Sequence, residues 1–164
     1  MPDSLCDFLR TRAQRSFNEL LKEISDVSKE DALLFAEEHW PDHRWGVGQN
    51  GSIAGIVYHV AAWKQMTLPA FEPGGEALNR DEFDPKGAPE LTNWPAITAW
   101  LTKVGEAWKT QMLNLSDDDF DEVRRWESNQ VPLKSFIVEM YEHDIQHASQ
   151  IAYIKQIIAM NRNA

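Results

Sequence analysis

The stretch from Pro132 to Met160 constrains the fold more than any other. Its apolar positions Leu133, Phe136, Met140, Ile151, Ile154 and Ile158 recur at three- and four-residue steps, one stripe on a helical period. His143 and His147 continue that stripe. A four-residue step turns a helix by about 40° net and rises about 6 Å, so both imidazoles can converge on one metal ion with bonds of about 2.0–2.1 Å. Two imidazoles on one buried face need hydrogen bonds or a metal, because burying them without a partner is costly.

The pair alone is weak, since five histidines in 164 residues produce about 0.15 such pairs by chance. A second pair at the same spacing, His39 and His43, encloses Pro41, which works against a regular helix there. Context on a buried stripe is what separates the first pair from the second.

The length fits one domain, expected over residues 1–164, large enough to bury a hydrophobic core without staples. A single cysteine, Cys6, excludes an intrachain disulfide, and the start of the chain lacks a charged region leading into an apolar signal core. The expected home is the cytoplasm. No apolar run approaches the ~20 residues that span a bilayer. Sixteen basic against 26 acidic residues give a net charge of −10, a balance that repels phosphate backbones and anionic lipids, so neither nucleic acid nor a membrane is an expected partner.

Along the chain, residues from about Ser4 to Val27 place Leu5, Leu9, Ala13, Phe17, Leu20 and Ile24 on one face of a first long helix. Ser28 with Asp31 forms a capping pair for a short helix through about Glu38, ended by Pro41. Trp40 to Ser52 reads as a loop. The next helix is expected from about Ser52 to Leu68, capped by Asn50 or Ser52 and stopped before Pro69. Ile53, Ile56, Val60, Trp63 and Met66 mark its buried face, with His59 among them and Gly55 leaving room beside it.

Pro69 to Asn93 is rich in Pro, Gly, Asp and Glu and longer than a bundle loop needs. That length suits a crossover along the height of a bundle or a segment at the mouth of a pocket. A third long helix starts near Asn93, with Pro95 in its first turn, and carries Ile97, Leu101, Val104, Trp108, Met112 and Leu115. Ser116 to Val131 reads as acidic and irregular. With no convincing strand and no repeat, the expected fold is all-α: a four-helix bundle with a long crossover connection between the second and third long helices.

Tetrahedral zinc chemistry needs three protein ligands and one open position, and His59, His143 and His147 could supply the three. An open position lets a bound metal lower the pKa of water or stabilise a thiolate. A di-iron carboxylate bundle would need two Glu-x-x-His motifs and two further glutamates; the chain has none, Asp144 with His147 being the nearest approach.

These residues carry a resemblance. The segment G-S-I-A-G-I-V-Y-H-V-A-A-W around His59 and the segment E-H-D-I-Q-H-A-S-Q-I around His143 and His147 resemble the DinB/YfiT-like family of metalloenzymes over most of the chain. Ser149 stands where the family usually has a small residue, often Gly. The resemblance implies a four-helix bundle with His59, His143 and His147 around a divalent metal, zinc or nickel, since imidazoles suit borderline metals better than magnesium or calcium. It further implies a small-molecule substrate and an activity such as a thiol-dependent S-transferase using a low-molecular-weight thiol. A metal-dependent hydrolase and a non-catalytic bundle that binds a small ligand or metal are the alternatives. The resemblance and the surplus of aromatic residues both point to a homodimer.

Glu139, one turn before His143, is a candidate base, fourth ligand or carboxylate partner for a ligand imidazole. Glu142 and Asp144 on the flanks are weaker candidates, to be weighed against solvated helix-face acids. Cys6 sits where a helix dipole could lower its pKa, but an inert packed thiol is the simpler expectation. Among seven tryptophans, Trp40 and Trp45 are candidates for a pocket wall or dimer contact, and most of the others are expected to pack in the core.

Overall fold

The computed structural model describes residues 4–34, 51–77, 87–126 and 129–162, and the chain there is mostly helical. Helix α1 spans Leu5–Ile24, α2 Lys29–Ala32, α3 Ile53–Thr67, α4 Trp94–Asn114 and α5 Leu133–Arg162. The first four starts have a local chemical cause. Ser4 accepts a hydrogen bond from the Asp7 amide, Ser28 from Asp31, Ser52 from Gly55 and Asn93 from Ala96, so each satisfies an amide that the first helical turn leaves without a partner. Ser52, not Asn50, therefore caps α3, and Gly51 just before it adopts φ 65°, where a residue with a Cβ would be strained. The α2 helix ends at Ala32 rather than near Glu38. The Trp40–Ser52 loop lies mostly outside the described residues.

Two apolar clusters divide the core. Phe17, Leu20 and Ile24 of α1 meet Ile53 to Ala61 of α3, Trp94 to Val104 of α4, and Ala148, Ile151 and Ile154 of α5. Cys6, Leu9 and Ala13 of α1 meet Trp108 and Met112 of α4, Leu133, Phe136, Ile137 and Met140 of α5, and Ala70 and Phe71 of the 3-10 turn Leu68–Phe71. Helices α3 and α4 both run from the first cluster toward the second, while α1 and α5 run the other way. The main helix pairings are α1 with α5 and α3 with α4, supplemented by α3 with α5 and α1 with α4. The chain thus leaves α3 at one end of the core and enters α4 at the other, with residues 78–86 of that connection outside the described part.

The segment expected to be irregular holds a 3-10 turn, Asp118–Asp121, and a small hairpin, β1 Val123–Trp126 paired antiparallel with β2 Asn129–Pro132. The expectation of no strand is corrected here. Four-residue strands are too short to show a period, and the tip lacks the Asn-Gly or Asp-Gly pair that marks a tight hairpin in a sequence. The hairpin fastens neighbouring pieces together. Buried Arg124 donates from Nε to the Ala70 carbonyl at 2.9 Å, the Ala77 amide donates to the Arg125 carbonyl at 3.1 Å, and the Leu133 amide donates to the Glu122 carbonyl at 2.9 Å. The start of α5 is thereby tied to the end of α3.

Trp94, Trp100 and Trp108 are buried as expected of packing residues. Trp94 donates its indole N–H to the Val27 carbonyl at 3.1 Å and Trp108 to Thr67 Oγ1 at 3.2 Å. Trp40 and Trp45, with His39 and His43, lie outside the described residues. Cys6 is buried, and burial pushes its thiol up, which fits an inert packing role.

At Gly105 the Phe17 ring takes the place of a side chain: a Cβ there would lie 2.0 Å from Phe17 Cζ. Alanine in an ordinary helix interior improves on glycine by about 1 kcal/mol, whereas overpacking a core costs about 1–3 kcal/mol. Phe17 is itself buried and its ring cannot swing into solvent, so the clash wins. Gly105→Ala is expected to lower the urea midpoint with the slope unchanged. A midpoint equal to or above the parent's would show that the ring can give way.

Candidate metal centre

Helices α3 and α5 meet at three imidazoles. His59 stands two turns into α3, and His143 and His147 stand one turn apart in the middle of α5; His147 is buried and the other two are half-buried. The Nε2 atom of His143 lies 3.1 Å from Nε2 of His59 and 3.1 Å from Nε2 of His147. One ligand-type nitrogen from each ring lies within 4.8 Å of the other two. Two metal–nitrogen bonds of about 2.05 Å separate their nitrogens by about 3.3 Å at a tetrahedral angle and about 2.9 Å at a right angle. Both 3.1 Å spacings from His143 fall between these values, and the three rings form a group that could hold one ion.

The donor chemistry points the same way. A neutral imidazole has one N–H and one lone pair. His147 Nδ1 lies 2.6 Å from Gln150 Oε1, an acceptor, so Nδ1 carries the hydrogen and Nε2 presents its lone pair to the other two rings. A single proton shared from His143 Nε2 is the most that three such nitrogens can place between them, whereas a divalent cation takes all three lone pairs. Burial, then the neighbouring His147, His59 and Lys64 charges, push His143 down to about 2. Burial pushes His147 down to about 4, with the Gln150 hydrogen bond opposing it. Both rings are therefore neutral at physiological pH, the form that binds a metal.

Trp63, one turn after His59, forms an apolar wall, edge-on to His59 at 5.9 Å between ring centroids and tilted against His143 at 5.5 Å. Glu139 and Glu142 are exposed, and among the described residues no carboxylate belongs to the three-histidine group. The Glu139 carboxyl is nonetheless raised, first by desolvation and then by Glu142. Asp144 is not a flanking acid: it is 1% exposed, and its carboxylate accepts a hydrogen bond from Lys64 Nζ of α3 at 2.8 Å. Burial raises this carboxyl, opposed by the Lys64 ammonium and by Ser16.

Near the site, Lys64 and Gln150 have no part in the expectations from sequence, and Asp144 enters them as a flanking acid. Lys64 falls four residues after Val60 and seven after Val57, on the buried stripe of α3, so a lysine interrupting an apolar stripe was the available signal. Asp144 repeats the pattern four residues after Met140 and seven before Ile151. Gln150 lies three residues after His147, close enough on a helix to reach back to it.

Taken together, fold and site define a mainly helical protein in which two long helices bring three histidines to one point. A model of the DinB superfamily matches residues 9–151, and the chain belongs to that superfamily. No curated protein and no solved structure matches it. Among the described residues no helix is long and apolar enough to cross a membrane.

Proposed function

We propose that this chain is a metal-dependent enzyme, one domain built as a four-helix bundle with a crossover between the second and third long helices. Its ligands are His59, His143 and His147, its metal is zinc or nickel, and its reaction joins a low-molecular-weight thiol through its sulfur to a small electrophile, the S–H proton being lost as the new bond forms. The observation that carries the reading is the convergence of three imidazoles with, among the described residues, no carboxylate in the group, a donor set suited to borderline metals. A divalent ion held there by three ligands would supply Lewis acidity at a remaining position, lowering the pKa of a thiol or water. The protein's own residues do the rest. Gln150 fixes the His147 tautomer and Trp63 gives the substrate side an apolar wall. Cys6, buried among core residues, takes no part.

The rival within enzymes is hydrolysis, favoured by one observation: Glu139, one turn from His143, has a raised carboxyl that could accept a proton from water. A panel of model electrophiles separates the readings when assayed with each of several thiols and with none, in metal-loaded and chelated protein. Turnover that needs both thiol and metal supports transfer. Hydrolysis without thiol favours the rival, and activity that survives chelation sinks both. A protein that holds metal and turns nothing over is a binding module.

Replacing Gln150 with alanine frees His147 to adopt the other tautomer. Metal affinity is expected to fall about 10- to 100-fold, the usual effect of removing a group that orients a ligand histidine. Competition titration against a chelator reads it, and an unchanged affinity would remove Gln150 from the site. The chain is also proposed to form a homodimer, for which exposed Ile145, Tyr153 and Met160 along α5 offer apolar surface. Light scattering that gives a monomer at micromolar concentration overturns it.

A further inference from the structure

We infer that the buried Lys64–Asp144 ion pair is a positioning device for the three-histidine site, fixing the register of α3 against α5. The inference rests on the proposed reading of that site. Lys64 comes five residues after His59 on α3, while Asp144 lies between His143 and His147 on α5. The two charges meet at 2.8 Å with side chains 3% and 2% exposed. The pair therefore joins the two helices that carry the imidazoles, and joins them at the level of the imidazoles.

All four long helices grip this point. The Lys64 ammonium sits 5.0 Å from the centroid of the Phe17 ring of α1 and 5.0 Å from that of the Trp108 ring of α4. Both are cation–π distances. Gly105 of α4 lies against the same Phe17 ring.

Stability alone does not account for such a pair. A buried ion pair can often be replaced by apolar residues of similar volume with no loss of stability, or with a gain. Register is a different matter. The core residues that α3 and α5 share, Ile53 to Ala61 against Ala148, Ile151 and Ile154, are apolar, and apolar surfaces tolerate small slides and repacking; the long Thr67 Oγ1–Met140 Sδ contact of 3.9 Å adds little direction. A metal site tolerates about 0.2 Å in each bond, so a slide of about 1 Å between α3 and α5 would carry His59 out of reach of an ion held by His143 and His147. A directional 2.8 Å contact beside the ligands resists that slide. Because the pair sums to zero charge, it does so without adding a net charge beside a bound cation.

The test is the double variant Lys64→Met with Asp144→Leu, examined with cobalt(II) as the metal. Folding is checked by circular dichroism. Cobalt affinity is expected to fall at least tenfold and the visible absorption bands of the bound ion to change. In the metal-free protein, the side-chain 15N resonances of His143 and His147 are expected to move, since the rings no longer face His59 as before. A folded double variant with parental affinity, bands and resonances overturns the inference.

If the parent binds no cobalt but the resonances move in the double variant, the metal reading fails and the positioning role stands. If neither binding nor movement is seen, both fail. Should the double variant not fold, Lys64→Arg keeps the charge and changes the reach, and is expected to shift the cobalt bands. Unchanged bands in that variant overturn the inference equally.

Discussion

Alanine at position 143 is expected to abolish metal binding, because His143 Nε2 is the nitrogen that stands 3.1 Å from each of the other two. Losing it leaves His59 and His147 as a two-ligand remnant. The loss should exceed the roughly 10- to 100-fold that removal of an outer partner causes. Thermal unfolding gives a second measure. Metal at a hundredfold excess over its dissociation constant stabilises a folded chain by about 2.7 kcal/mol, and a protein of this size gains about 2–4 °C per kcal/mol, so the parent should rise by about 5–11 °C. His143→Ala should not respond, and His147→Ala should respond weakly or not at all. His39→Ala and His43→Ala should behave as the parent. A parental metal response in either α5 variant would show the site assignment to be wrong.

The same histidines set a pH dependence in the metal-free protein. Burial holds His143 and His147 below the ordinary range, to about 2 and about 4, so at mildly acidic pH the unfolded chain takes up protons that the folded chain refuses. Stability then falls as pH falls. The decline should begin near the ordinary histidine value of about 6.5, lose the His147 contribution near about 4, where that ring titrates in the folded chain, and continue for His143 toward about 2. Alanine at both positions should flatten the profile across that window, which a series of urea midpoints would show.

Breaking the central ion pair from one side is expected to have the largest effect on stability. Lys64→Met leaves Asp144 buried without its cation, and removing one partner of a buried pair costs about 3–5 kcal/mol. At about 2–4 °C per kcal/mol, the melting temperature should drop by about 6–20 °C. Since burial already raises the Asp144 carboxyl, the deficit relative to the parent should shrink as the pH falls and the folded chain binds a proton there. Adding Asp144→Leu should restore most of the stability. A single variant as stable as the parent would mean that the carboxylate finds another partner or reaches water.

The stripe on α5 could be read from spacing alone, because His143 and His147 continue a run of apolar residues that one period explains. Helix starts at Ser4, Ser28 and Asn93 were legible for a similar local reason, each being a cap whose hydrogen bond closes within three residues. The contact of His59 with His143 spans 84 positions and depends on how α3 meets α5, which spacing within a helix does not encode. The resemblance supplied that pairing. Lys64 and Asp144 each interrupt an apolar stripe, which marks them as unusual without naming a partner; only their meeting across 80 positions explains why both are inside. The hairpin at Val123–Pro132 escaped because its strands are too short to carry a period.

The pairing of α1 with α5 governs when the site can exist. The first long helix emerges from the ribosome well over a hundred residues before its main partner is complete, an interval on the order of ten seconds at about 5–20 residues per second. During that interval the apolar face of α1 has no α5 to cover it. His59 is already synthesised, yet His143 and His147 arrive with the last helix. On the proposed reading, metal loading would follow synthesis and docking of α5, and a nascent chain arrested before α5 should neither retain cobalt nor resist proteolysis in α1.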